Sequence, residues 1–183
     1  RRALAQVPVY YHAKAQKEKR KELFEKAIQR YSEFFQKFPG DKWKVYEFKY
    51  NIAEIYGHLQ QYQKAAEAYD YVAQADLSGY PAYKHQVDTL GLDDEQKERL
   101  LKDKRSKDSP VAVSQEDAGY NAIVALDNLR KKTIAKGGLT DSAAYALPVT
   151  KRFLDYIEAF VTRFPTSSTA PDILFLAANV HYS

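Results

Sequence analysis

Catalysis needs side chains paired or grouped at fixed spacing, and the titratable residues of this chain are not grouped that way. The four histidines are His12, His58, His85 and His181. None stands three or four residues from another, the spacing that puts two ligands on one helix face. His181 falls in an apolar helical pattern and reads as a packed or partly exposed histidine rather than a ligand. There is no cysteine, which removes disulfides, thiolate zinc sites and cysteine nucleophiles. The adjacent carboxylates Asp93 and Asp94 lie in a charged run, where nothing would raise a pKa by burial. No glycine-rich phosphate loop, GxSxG, HExxH or EF-hand loop occurs. The reading is of a non-enzyme without catalytic residues, metal ligands or a cofactor.

Charge gives two readings of a partner. The chain of 183 residues carries 28 basic and 24 acidic residues, for a net charge of +4. That is a mixed surface with modest basic excess, not the single-sign field of a dedicated nucleic-acid binder. The basic runs at 14–26 and 99–107 read either as a nucleic-acid or anionic-surface patch or as solvated helix faces, and Glu18, Glu22, Glu25 and Asp103 dilute them. No stretch approaches the roughly 20 apolar residues of a membrane span. The start has no apolar run leading to a small-residue cleavage site. With no methionine, and with a helical pattern still running at Ser183, the chain reads as a piece of a longer repeat protein.

The elements that carry these residues follow from periodicity. Phe24, Ala27, Ile28, Tyr31, Phe34, Phe35 and Phe38 fall on one face of a helix that Pro39 and Gly40 stop. Asp41 is an N-cap for a helix over about 43–59, with Val45, Phe48, Ile52, Ile55, Tyr56 and Leu59 on its apolar side. A helix over 62–75 follows so closely that the two must form an antiparallel hairpin. Residues 77–113 are dense in charge and are read as a partly mobile insertion between repeats, with a short helix near 93–104. Ser114 with Asp117 opens a helix to about Lys132, and KKTIAKGGLTDSAAY is read as a long link turned at Gly137-Gly138. Helices over about 146–164 and from Thr169 or Ala170 onward complete six to seven in all, with no strand.

The chain contains two versions of one sentence. YSEFFQKFPGDKWKVYEFKYNIAEIY at 31–56 is echoed by IEAFVTRFPTSSTAPDILFLAANVHY at 157–182, so that Phe34, Phe38 and Pro39 recur as Phe160, Phe164 and Pro165. With NIAEIYGHLQQYQKAAEAY, this resembles the tetratricopeptide repeat, two antiparallel helices per idealised unit of 34 residues. Ile52 and Ala53 take its Leu-Gly positions, Tyr56 its first-helix aromatic, Ala65 its small second-helix position, and Tyr69 the aromatic that follows. Phe153 departs from the pattern by replacing a small residue, and the units are spaced more widely than the ideal. The wording is similar to bacterial envelope members of the family, such as subunits of outer-membrane assembly machinery.

The resemblance implies an all-α fold, a right-handed superhelical stack of hairpins over 1–183 as a single domain with the charged insertion at 77–113. It implies a protein-interaction scaffold in a cell-envelope complex, periplasmic and outer-membrane-associated, the alternative location being the cytoplasm. In the family, first helices line a concave groove that holds partner peptides. The groove positions carried over are Glu47, Tyr50, Glu54 and His58, together with Asp172, Phe175 and Asn179. Rings and carboxylates suit an apolar or basic protein segment, although Tyr50 and Phe175 read equally as packing against a neighbouring repeat. The alternative function is a nucleic-acid or anionic-surface binder using the basic insertion.

Overall fold

The computed structural model describes residues 2–76 and 114–182. Among them are eight helices and no strand: α1 (Arg2–Glu18), α2 (Lys21–Lys37), α3 (Lys42–His58), α4 (Tyr62–Ala73), α5 (Gln115–Gly137), α6 (Asp141–Tyr145), α7 (Pro148–Arg163) and α8 (Ala170–Tyr182). The all-α class expected from 3.6-residue periodicity is therefore found. The expected insertion at 77–113, with its helix near 93–104, lies outside the described residues.

The α2 face inferred from spacing is the buried one. Phe24, Ala27, Tyr31 and Phe34 are sealed from water, and Phe48, Ile52 and Ile55 of α3 meet them. Phe48 takes Tyr31 and Phe34 edge-on, at ring separations of 4.8 and 5.1 Å. Spacing alone did not reveal α1. This helix packs against α2 through Ala15, keeps Pro8 fully buried, and ends at Lys19 in a left-handed conformation (φ 56°).

A second cluster builds on α4. Ala65, Ala66, Ala68, Tyr69, Val72 and Ala73 are buried against α3 on one side and α5 on the other. Small side chains let three helices approach closely, and Phe153, Ile157 and Phe160 of α7 close the cluster over Ala118, Ala122, Ile123 and Leu126 of α5. Tyr56 packs against both clusters and bridges them. Ala65→Trp should therefore cost about 1–3 kcal/mol by overpacking. Exposed Lys136→Trp should stay within about 0.5 kcal/mol. Equal urea midpoints for the two variants would show that α3 and α4 do not close at Ala65.

The caps follow the sequence. Asp41 accepts from the Lys44 amide at 3.3 Å, and the Ser114 hydroxyl accepts from the Asp117 amide at 3.1 Å. The two Phe-Pro turns share one geometry. Phe38 (φ −133°, ψ 58°) donates its amide to the Phe34 carbonyl, and Phe164 (φ −123°, ψ 62°) donates to Phe160. In each turn the two phenylalanine rings stack obliquely, at 4.9 and 5.1 Å.

The long link expected after Lys132 is mostly helical instead. α5 continues to Gly137, Gly138 terminates it at a left-handed φ of 56°, and α6 follows at once, capped by Thr140. The fully buried Thr150 hydroxyl donates to the Ala144 carbonyl at 2.6 Å and fastens α6 to α7. No periodic apolar stripe announces these elements; tertiary contacts hold them. Far apart in sequence, the Gln115 side-chain amide donates to the carbonyls of Val72, Ala73 and Ala75, at 3.2, 3.0 and 2.8 Å.

Candidate functional site

The α3 face collects four of the expected groove residues. Asp41 caps the helix so that Glu47, Tyr50, Glu54 and His58 recur at three- and four-residue steps along it. Glu47 is half-buried and paired with Lys44 one turn earlier. His58 lies flat on Phe24, with ring centroids 5.2 Å apart, and so is turned toward α2. Tyr50 meets Tyr69 of α4 edge-on at 5.3 Å, and its hydroxyl accepts from Asn121 Nδ2 of α5 at 3.2 Å. Tyr50 is thus packed between α3, α4 and α5, and part of its side chain remains exposed.

Glu54 is the unusual group. Its carboxylate is half-buried, and burial pushes its acidity toward the neutral form. Among the described residues no hydrogen bond or ion pair reaches it. Its charge acts on three phenols, Tyr31, Tyr50 and Tyr69, each raised first by its own burial. Tyr31 is steadied by Asn51, whose Nδ2 donates to its hydroxyl at 3.1 Å. Asp117 of α5 adds a further negative charge felt at Tyr50. The patch is therefore a ring of tyrosines around an unpaired carboxylate, with acidic surroundings.

Asp172, Phe175 and Asn179 stand apart on α8. Phe175 is 66% exposed and its neighbour Leu174 50%. Sequence reasoning missed Asn121 and Asp117, since only the approach of α5 to α3 brings them to Tyr50.

Among the described residues no three histidine or acidic side chains converge as metal ligands, and no helix is long and apolar enough to cross a membrane. Comparison of the chain with protein-family models, with curated proteins and with solved structures finds no match.

Proposed function

We propose that this protein is a non-catalytic, tetratricopeptide-like scaffold that holds a basic, partly apolar segment of another protein against the α3 face. Glu54 carries the reading. A half-buried carboxylate without a partner costs free energy that an incoming lysine or arginine would offset. Tyr50 beside it, partly exposed, supplies contact area at low entropic cost, because it has only two side-chain torsions. The duplicated Phe-Pro turn supports a right-handed stack of hairpins, in which first helices such as α3 line the curved face. The resemblance of residues 35–69 to envelope repeat proteins supports work within a bacterial cell-envelope complex, periplasmic and outer-membrane-associated.

The test is capture of a fluorescent peptide rich in lysine and leucine. Tyr50→Ala with Glu54→Lys should abolish binding at this face while the thermal midpoint moves little, since neither side chain is fully buried. Binding that survives this pair but disappears when residues 84–110 are deleted would move the activity to the basic insertion.

A further inference from the structure

A second recognition surface lies away from the α3 face. We propose that the trough between α4 and α7, floored by α5, receives a lysine- or arginine-bearing amphipathic helix of another protein. The trough encloses about 620 Å³. It exists because α4 and α7 both lean on α5 instead of packing along one another, and Arg152 of α7 reaches Glu67 of α4 across the top at 3.4 Å. The floor is apolar and shallow by design of its smallest residue. A Cβ at Gly119 would come within 2.9 Å of the Phe160 ring, so glycine lets that ring lie against the α5 backbone. Ala122 and Phe164 extend this floor.

The lip has the opposite character. Asp70, Asp155 and Glu158 line it against a single cation, Arg163. Asp70 is held by Gln74 at 2.7 Å, whereas Asp155 and Glu158 are exposed and have no cationic partner among the described residues. An acidic lip on a chain of net charge +4 runs against the overall field, and it repels phosphate while attracting cations. All three lining elements are helices whose backbone groups bond internally, so the trough offers no edge for strand addition. Recognition must proceed through side chains, as when an amphipathic helix lays its apolar anchors in a groove and its cations on the rim.

The probe is a fluorescein-labelled 14-residue peptide of lysine, leucine and alanine with one central phenylalanine, titrated into the whole chain. Amide shifts mapped by NMR should centre on Gly119, Ala122 and Ala159. Asp155→Lys with Glu158→Lys should weaken binding at this site at least tenfold, and replacing the peptide's leucines and phenylalanine by serine should do the same. Tyr50→Ala with Glu54→Lys should leave the footprint in place. The proposal is overturned if the footprint lies on α3 alone and follows Glu54, if the serine peptide binds the trough as well as the parent, or if a glutamate-for-lysine peptide binds it equally. It is also overturned if the chain self-associates and the two lysine substitutions abolish that, which would assign the trough to a second copy. The footprint on the unsubstituted protein decides the matter should the double variant fail to fold.

Discussion

Replacing Phe153 by alanine is expected to remove about 3–5 kcal/mol of folding free energy, a large share of the roughly 5–15 kcal/mol that domains of this size possess. Phe153 is 0% exposed and sits where α7 meets α5 and α4. Its ring also lies under the Arg130 guanidinium, 5.4 Å from the centroid. That guanidinium neutralises the buried carboxylate of Asp127 at 2.9 Å, aided by Lys131 at 2.6 Å. Truncation therefore leaves a cavity and removes the apolar support of a partly buried ion pair. Phe153→Leu should restore most of the loss, because it refills the volume, but not the ring's attraction for the cation. Urea unfolding of the three proteins measures this; a loss below about 1 kcal/mol for the alanine variant would mean that the site collapses around the gap.

Acid should loosen the N-terminal end of the fold through His12. The imidazole is 6% exposed, its Nε2 has no hydrogen-bond partner, and it sits edge-on to Phe24 and Tyr31 at 6.4 Å each. Burial, and then the charge of His58 on α3, lower its pKa to about 4. The unfolded chain takes up this proton near pH 6.5, so the folded state binds fewer protons across the interval between the two values. Stability is complete above about pH 6.5, falls as the pH drops, and has lost most of this contribution by about pH 4. The difference amounts to about 2 kcal/mol at pH 5 and about 3 kcal/mol at pH 4. His12→Leu should flatten the profile by that amount, while the carboxylates contribute alike to both proteins. Parallel urea midpoints from pH 7 to pH 4 would show that His12 accepts its proton in place.

The sequence disclosed those parts of the fold that depend on neighbours in the chain. The α2 stripe, the Asp41 and Ser114 caps and the repeated Phe-Pro turn are all local, and each is found where spacing put it, whereas the helix expected to end near Lys132 runs on to Gly137. What escaped depends on distant contacts. α1 carries Pro8 and leaves Val7, Val9 and Tyr10 exposed, so no single apolar stripe marks it. α6 has only five residues and is held by Thr150 from the next helix. Phe153, a departure from the repeat pattern at a position where a small residue was expected, proves to be fully buried in the cluster that α4, α5 and α7 share. At the candidate site, residue types at Tyr50 and Glu54 were legible. The unpaired state of the carboxylate and the arrival of Asn121 were not, because α5 returns only after a long excursion in sequence.

The Gln115 side chain has a consequence for how this chain tolerates change. By donating to the carbonyls of Val72, Ala73 and Ala75, the last at 2.8 Å, it joins the start of α5 to the C-terminal end of α4 and the two residues after it. The exit and the entrance are clasped independently of whatever runs between them. Closing a longer excursion costs only a slowly growing entropy, about 0.6 kcal/mol for each doubling of its length. The helices on either side are thus insulated from the size of that excursion. The clasp turns this join into a cassette, where sequence can be exchanged, lengthened or fitted with a foreign module while the register of α4 on α5 stays fixed.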